Sequence, residues 1–343
     1  MPRSIRGSGV QSKKSVFGEF STCMKIRSAR KHIPLAATAT VCVLLYATAS
    51  IAYKGFFSGG VVVNFFSDNA VLGIAALGMT FVILSGGIDL SVGSVIAFTS
   101  ILLATLIENH HWHPLPAILL ALALGSAFGC GMGCLVQFFG LPPFLVTLAG
   151  MFLARGLGFV IRLDSVSINH PLYTKISDVR LPLGGGAELP ATALIFLLTF
   201  GVALYLAQFT KFGRNVYAIG GSESSAVLMG LPVGSTKIRI YGLSGFCSAL
   251  AGVVYTFYTS SGNPTAATGL ELDAIAAVVI GGTLLSGGVG YVAGTLIGVL
   301  IFGIIQTAIT FQGTLSSWWT KIAVGALLLV FILLQRVIQA KKR

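Results

Sequence analysis

A short polar stretch interrupts an otherwise apolar chain just after Leu84. Its hydrogen-bonding side chains, and the glycines that free the backbone around them, are Ser85, Gly86, Gly87, Asp89, Ser91 and Ser94. Hydroxyl groups, a carboxylate and unpaired backbone groups at a break in an apolar helix can bind a neutral polar solute and release it again. An ionisable side chain in such a segment is costly and therefore indicates function. A structural role for Asp89 is equally open, since a carboxylate there can cap the helix that follows.

Further polar side chains lie near breaks or ends of other apolar segments. They are Asn69, Thr147, Glu271 and Asp273. We interpret them, together with the stretch after Leu84, as candidates to line a path for a polar solute. Arg155 is expected instead to pair with a carboxylate or to extend toward the membrane surface.

Catalytic and metal chemistry have little support in the sequence. Glu108, His110, His111 and His113 are ligand-type residues, but no further ligand follows at a metal-binding spacing. The 5 cysteines show no C-x-x-C spacing, and we expect no disulfide. No nucleophile–base pair is recognisable in the apolar segments. The sequence therefore predicts that the chain is not an enzyme and binds neither cofactor nor metal.

Apolar helices in a membrane must position these residues. Of 343 residues, 55% are hydrophobic and 9% are charged, and the mean hydropathy is +0.90. A soluble domain carries about a quarter charged residues. The net charge of +12 comes mostly from basic residues that flank apolar segments, without the basic, aromatic-rich face of a nucleic-acid binder. We therefore predict an all-α, polytopic integral membrane protein.

The stretch from residue 68 to 98 occurs a second time, without a gap, from residue 269 to 299. The clearest identity is the tetrapeptide Leu-Ser-Gly-Gly, at residues 84–87 and again at 285–288. Asp89 is not repeated, because Gly290 stands in its place. A repeat with glycine breaks favours a transporter built from two related halves. Two helical hairpins that share only composition are the alternative.

Ten apolar spans predict the domain organisation. They are residues 33–53, 69–86, 90–107, 115–138, 143–162, 190–208, 237–258, 270–285, 289–311 and 317–336. Residues 1–32 form a basic cytoplasmic tail, 33–336 the transmembrane domain, and 337–343 a second basic cytoplasmic tail. Most of the 22 basic residues then lie on the cytoplasmic side, as the positive-inside rule requires. Met24 would serve equally well as the N-terminus.

The orientation of the repeat and the external loop remain open at this point. Ten spans place both Ser-Gly-Gly turns in the cytoplasm and make the copies parallel, whereas one re-entrant segment would invert a copy. The external loop 163–189 is a candidate docking surface for an extracytoplasmic partner. Its polarity also has the simpler explanation that water surrounds it.

The cytoplasmic loop 209–236 predicts a docking element. Ser222 can cap a short helix whose positive end Glu223 complements, and Gly230 can end it. The residues predicted to couple this loop to a partner are Gly213, Arg214, Ser222, Glu223, Ala226, Leu228, Met229 and Gly230. Exposed apolar side chains on the water side of a membrane indicate a protein contact. The alternative is a helix that lies on lipid headgroups.

Four blocks in order resemble the membrane permeases of bacterial sugar ABC importers, the ribose, xylose and autoinducer-2 type. They are GMTFVILSGGIDLSVGSVIAF (78–98), LPPFLVTLAGMFLARG (141–156), GRNVYAIGGSESSAVLMG (213–230) and GLELDAIAAVVIGGTLLSGGVG (269–290). The resemblance covers residues 33–336. Within the family, SINHPLY, GSTKIRIYGLSG and GTLSSWWTKIAVG are most similar to permeases that import galactofuranose.

The resemblance implies a transport subunit with several partners. They are a separate ATPase subunit that binds ATP and Mg, a second homologous permease subunit that completes a heterodimer, a periplasmic sugar-binding protein and membrane lipid. The expected location is the bacterial inner membrane, and the expected solute is a monosaccharide, with galactofuranose first. The alternatives are a permease for ribose, xylose or autoinducer-2, or an ion-coupled secondary transporter that uses Asp89 or Asp273.

Overall fold

A computed structural model describes residues 33–184, 187–316 and 318–340, so the basic tail 1–32 lies outside it. The helices are α1 (Ile33–Ala52), α2 (Gly59–Asp68), α3 (Ala70–Leu84), α4 (Val92–Glu108), α5 (Pro114–Phe138), α6 (Pro143–Ile161), α7 (Pro171–Asp178), α8 (Ala191–Phe209), α9 (Lys211–Gly221), α10 (Glu223–Leu228), α11 (Val233–Thr259), α12 (Leu270–Ile280), α13 (Val292–Gln312) and α14 (Trp318–Ala340). The strands are β1 (Val166–Ser167), β2 (Arg180–Gly184), β3 (Ala187–Pro190) and β4 (Ser261–Gly262). The strands make only the antiparallel pairs β1–β4 and β2–β3, so the predicted all-α class is confirmed.

Six described helices, α1, α5, α6, α8, α11 and α13, are long and apolar enough to cross a membrane. A seventh span forms if α2 and α3, which meet at a bend of 56°, are taken together. The apolar parts of α4 and α14 are shorter. α12 has 11 residues and is about 16 Å long, roughly half of the hydrocarbon core. Each of the ten predicted spans therefore contains helix, but fewer than ten described helices are long enough to cross alone.

Two predicted spans have different ends. The span predicted over 69–86 begins at Gly59, and the chain bends at Asn69, whose amide donates to Phe65 O instead of capping α3. The span predicted over 270–285 is helical only to Ile280. The next residue, Gly281, packs so closely on the backbone of α13 that a Cβ atom would overlap it, and this contact replaces the last turns of the helix.

α11 is the centre of the bundle, with α3, α4 and α5 packed around it. Small residues allow the closest of these contacts, because the backbones of α5 and α11 touch where Gly125 faces Gly245 and where Gly129 faces Gly242. Such contacts drive helix association in a membrane, where the hydrophobic effect does not act between helices. The largest cluster of buried apolar side chains lies here, around α3 and α11.

The first helices of the two repeat copies, α3 and α12, run in the same direction. α3 is antiparallel to α13, because Thr80 Oγ1 lies 2.7 Å from Thr295 Oγ1 while Asn69 contacts Gly303 further along. α12 is also antiparallel to α13, with which it forms a hairpin. Both Ser-Gly-Gly breaks therefore lie at the same end of the bundle, as in the parallel arrangement considered from the sequence.

The loop 163–189 is folded over the opposite end of the bundle. It contains β1, α7 and the hairpin β2–β3, apart from residues 185–186, which lie outside the description. Tyr173 of α7 is buried against Phe257, and its hydroxyl lies 3.2 Å from Thr256 Oγ1. Burial raises the pKa of the Tyr173 hydroxyl to about 12, so it stays a neutral hydrogen-bonding group.

Candidate functional site

The first break turns back into the bundle instead of leaving it. α3 ends at Leu84, and the Ser85 hydroxyl donates to Val82 O at 2.8 Å. Gly86 has a φ of +84°, a left-handed conformation that glycine adopts without strain. The chain then runs back beside α3, so that Asp89 lies next to Ser244 of α11, the residue that also contacts Gly78 in the middle of α3.

Asp89 is completely buried and fully hydrogen-bonded. Its Oδ1 accepts from the Ser91 backbone N–H at 2.9 Å and from the Ser91 hydroxyl at 2.7 Å. Its Oδ2 accepts from the Ser244 hydroxyl at 2.6 Å. The predicted capping role is wrong in detail: Ser91 is the N-cap of α4 and makes no side-chain cap, and Asp89 stabilises the turn before it. Asp89 therefore connects the segment between α3 and α4 to α11.

Several buried hydroxyl groups around this segment have no hydrogen-bond partner among the described residues. They belong to Ser94, Tyr241 and Thr283. Tyr241 lies against Gly87, and Thr283 lies against Gly290 in the second break. Thr147 of α6 reaches the segment from another side, where its hydroxyl lies 3.2 Å from Ile88 O. The two breaks therefore have buried hydroxyl groups beside them that make no hydrogen bond within the described residues.

The two breaks of the repeat meet. The Gly288 N–H donates to Leu84 O at 2.9 Å. A Cβ atom added at Gly287 would lie 2.7 Å from Gly86 N, which is closer than real side chains approach. Only glycines allow this contact. The predicted Ser-Gly-Gly stretches therefore form one structural unit.

The segment after α8 also touches both breaks. Gly220 of α9 lies so close to Leu84 O and to Gly288 that a Cβ atom would overlap them. The Tyr217 hydroxyl donates to Gly290 O at 3.0 Å. Burial is the main cause that raises the pKa of Tyr217 above its ordinary value of 10.0, and neighbouring Tyr291 adds to the shift, so this donor is protonated at neutral pH. A movement of α9 would act directly on the two breaks.

The helix predicted after Ser222 is present as α10 and exposes apolar side chains. Ser222 is its N-cap and accepts from Ser225 N at 3.3 Å. Val227, Leu228 and Met229 are all exposed, and Leu228 has an exposed fraction of 87%. We call these three residues the apolar patch. No described part of the chain covers it.

Not every residue predicted to couple this loop lies on its surface. Arg214 is exposed, and Gly230 ends α10 with a φ of +72°. Gly213 and Ala226 are buried and hold α9 and α10 in place. Glu223 pairs with Lys237 at 2.6 Å, which ties α10 to the start of α11. Of the predicted coupling residues, Leu228 and Met229 are the apolar ones free to contact a partner.

Two of the predicted path residues lie far from the breaks, at the other end of α3. Asn69 and Asp273 line a cavity of about 410 Å³ between α3, α12, α13 and α14. Asp273 forms an ion pair with Lys321 at its wall. Apart from Glu271, the predicted path residues therefore form two groups at the two ends of α3.

Glu271 and Arg155 belong to a third place, beside the start of α4. The Arg155 guanidinium donates to Pro264 O at 3.0 Å and to Ala266 O at 2.8 Å, so the expectation that it extends to the membrane surface is wrong. Glu271 packs against Gly93, and its buried Oε2 has no hydrogen-bond partner among the described residues. These contacts join the loop before α12 to α4 and α6.

Two of the candidate metal ligands in the external turn, Glu108 and His113, have structural roles. Glu108 accepts from Asn169 N at 2.5 Å, and His113 Nδ1 accepts from Leu115 N as the cap of α5. The His113 ring lies edge-on to His170, with the centroids 5.7 Å apart. Within the described ranges, no group of three or more His, Cys, Asp or Glu side chains is placed to hold a metal ion.

Sequence reasoning missed Ser244, Tyr217, Gly220 and Tyr241. Ser244 carried a signal, since it is a polar residue in an apolar span, but nothing in the sequence indicates its partner Asp89. Gly220 and Tyr217 lie in the block 213–230, whose residues were predicted to contact a partner protein and not the breaks. Their contacts with the breaks depend on tertiary packing that spacing does not predict.

Comparison with known proteins places this arrangement in a family of transport subunits. Residues 61–332 match the family described as branched-chain amino acid transport system / permease component. The chain is 53% identical to the inner membrane ABC transporter permease protein YjfF of Escherichia coli over 90% of this chain and 93% of the relative. It is 37% identical to the fructose import permease protein FruG of Bifidobacterium longum over 91% of this chain and 93% of that protein. It is 39% identical to the ribose import permease protein RbsC of Escherichia coli over 84% of this chain and 90% of that protein. No solved structure gives a significant match.

The chain belongs to this permease family. It is a multi-pass inner-membrane subunit of the ABC permease class, a transport component and not an enzyme. The resemblance found in the sequence is confirmed at this level.

Proposed function

We propose that the chain is the membrane-spanning permease subunit of an ATP-driven importer for a monosaccharide, with galactofuranose as the first candidate. An ATPase subunit, which binds ATP and Mg, docks on α9 and α10. A second homologous permease completes a heterodimer, and a periplasmic sugar-binding protein delivers the solute. Both termini of the chain are cytoplasmic.

The contact of α9 with both breaks carries this proposal. An ATPase that binds the apolar patch would move α9, and α9 touches Leu84 O and Gly288 through Gly220. Closure of the ATPase would therefore change the geometry of the two polar breaks. Coupling of this kind needs a contiguous structural link between two sites, and the short path through α9 supplies one.

The docking part of the proposal is tested by two matched substitutions on α10. Leu228→Asp introduces a charge into the exposed apolar patch, and Ser224→Asp introduces the same charge at another exposed position of the helix. We expect Leu228→Asp to abolish copurification of the ATPase and Ser224→Asp to retain it. Equal copurification of both variants would remove the apolar patch from the coupling mechanism. Glu223 is a poorer test, because its substitution also breaks the ion pair with Lys237.

The solute is tested by competition. Relatives that import ribose and fructose support a sugar, and the resemblance in the sequence favours galactofuranose. The complete importer in proteoliposomes should take up labelled galactofuranose with ATP, and unlabelled ribose, xylose and autoinducer-2 should compete weakly. Uptake inhibited best by one of the other three would replace galactofuranose and leave the transport class unchanged.

The second candidate function is an ion-coupled transporter. Its support would be a buried carboxylate that binds and releases a proton, as Asp89 could. Asp89 is completely buried and its oxygens accept from Ser91 and Ser244, so water does not reach the carboxylate to deliver or remove a proton in this structure. Uptake by the chain alone, driven by a proton or sodium gradient without ATP, would support this candidate and contradict the importer.

A further inference from the structure

We propose that the cavity between α3, α12, α13 and α14 is a binding site for a neutral monosaccharide, which the solute occupies before it reaches the two breaks. This inference rests on the proposed function, because it takes the solute to be a sugar and the end of the bundle opposite α9 to face the outside. The cavity has a volume of about 410 Å³. Sites for small molecules have volumes of about 300–1,000 Å³.

The position of the cavity fits an entry site. α3 begins at the cavity and has 15 residues, so it is about 22 Å long. Its other end, Leu84, contacts both Gly288 and Gly220. A solute bound at the cavity is therefore separated from the breaks by the length of one helix, and the same helix connects the two places.

Two neutral amides offer free hydrogen-bonding groups to a ligand. Asn69 has an exposed fraction of only 4%, and its Nδ2 donates to Phe65 O at 3.0 Å. Its Oδ1 accepts no hydrogen bond from the described part of the chain, and the residue lines the cavity. Gln306 lines the same cavity from α13, and its amide likewise has no partner within the described ranges. Amides both donate and accept, as vicinal sugar hydroxyls do.

The charges in the cavity favour a neutral ligand over an anion. Asp68 accepts from the Tyr258 hydroxyl at 3.2 Å, and Asp273 is paired with Lys321. Two carboxylates and one ammonium group leave a net negative charge, which repels phosphorylated sugars and sugar acids. The carboxylate oxygens that remain free can accept from sugar hydroxyls. Trp318, with an exposed fraction of 74%, provides an apolar ring at the rim.

Protection from alkylation tests the site directly. The permease–ATPase complex in lipid nanodiscs carries Thr320→Cys, which lines the cavity, or Thr310→Cys, an exposed position outside it. The complex without either substitution measures labelling of the native cysteines. We expect galactofuranose, ribose or xylose to slow the reaction of Thr320→Cys with a charged maleimide severalfold, and none of them to slow the reaction of Thr310→Cys.

A second substitution ties the protection to hydrogen bonding. Gln306→Leu in the Thr320→Cys protein keeps the size of the side chain and removes its amide. The sugar concentration that gives half-maximal protection should rise about 10-fold, as expected for the loss of one or two hydrogen bonds. The labelling rate without sugar should stay the same, which shows that the cavity is intact.

The possible results separate this site from the proposed function. Sugar transport driven by ATP without any sugar protection of Thr320→Cys would overturn the site and leave the importer standing. Protection by sodium ions alone would also overturn it, since two carboxylates can bind a cation. Sugar protection in a preparation that shows no ATP-driven uptake would support the site and contradict the importer.

Discussion

The two breaks of the repeat share the tetrapeptide Leu-Ser-Gly-Gly but are held in different ways. The first is fastened by the buried side chain of Asp89, which accepts hydrogen bonds from Ser244 and Ser91. The second has no such side chain, because Gly290 stands in the place of Asp89. Its backbone contacts the first break and accepts a hydrogen bond from the Tyr217 hydroxyl of α9. Both copies of the repeat thus have the interruption of the helix, but the contacts that stabilise the interruption differ between them. The first break is fixed to the centre of the bundle by a side chain, and the second is connected to the bundle through the first break and through α9.

The largest effect on stability and transport is expected at Gly220, because this residue contacts both breaks. Gly220→Ala places a Cβ atom on Leu84 O and beside Gly288 N. We expect a loss of about 3 kcal/mol in the free energy of unfolding, at the upper end for overpacking, together with loss of transport. Thermal unfolding of the purified protein in detergent measures the first effect. The adjacent Gly221→Ala is the control, because its Cβ atom would meet nothing within 4 Å. Equal stability of the two variants would contradict the described contact of α9 with the breaks.

The next effect distinguishes the first break from the second. Asp89→Ala leaves the Ser91 N–H and the Ser91 and Ser244 hydroxyls without their acceptor in a buried place, and should lower the free energy of unfolding by about 2 kcal/mol. Asp89→Asn keeps an acceptor for Ser91 and should lose less. Normal sugar transport by a stable Asp89→Asn protein would assign Asp89 a purely structural role. Transport that fails in this stable variant would show that the negative charge itself is needed.

A smaller effect is expected at the second break. Tyr217→Phe removes one hydrogen bond to Gly290 O, at a cost of about 1 kcal/mol in the free energy of unfolding. Since the pKa of Tyr217 is raised in the folded protein, its contribution is complete below pH 10 and is lost as the pH rises through the folded value. Thermal unfolding of wild type and Tyr217→Phe should therefore differ by the same amount at pH 6 and pH 8. A difference that changes between these two values would mean that another group titrates with it.

The smallest effect concerns an outer contact of the first break. Thr147→Val keeps the shape of the side chain and removes its hydroxyl, which lies 3.2 Å from Ile88 O and 3.0 Å from Pro143 O. We expect a loss of about 0.5 kcal/mol in the free energy of unfolding and nearly normal uptake. A large fall in uptake, with thermal unfolding unchanged, would assign the Thr147 hydroxyl to the solute path and make the first break more than a fixed anchor.

The difference between the breaks also marks what the sequence could predict. Hydropathy located helix in every apolar segment, and the glycines predicted the interruptions, because both signals are local. The partner of Asp89 is 155 residues away in the chain, and Gly288 and Leu84 are separated by slightly more residues than the two copies of the repeat. The end of α12 at Ile280 was missed for the same reason: it is set by close packing of Gly281 on α13. The backbone carbonyls that bind Arg155 could not be predicted either, because they lie in a loop that is remote from it in the sequence.

The central position of α11 has a consequence for how the chain enters the membrane during biosynthesis. Of the six long spans, α11 has the lowest mean hydropathy, 1.4, and the largest buried share, 78%. Lys237, Arg239 and a series of serines weaken its recognition by the translocon, which selects segments by their apolarity. The Ser244 hydroxyl donates to Asp89, so this polar group of α11 depends on the segment that precedes α4. We therefore expect α11 to integrate as a late and dependent segment, and to fail when it is presented to the translocon without the helices that precede it.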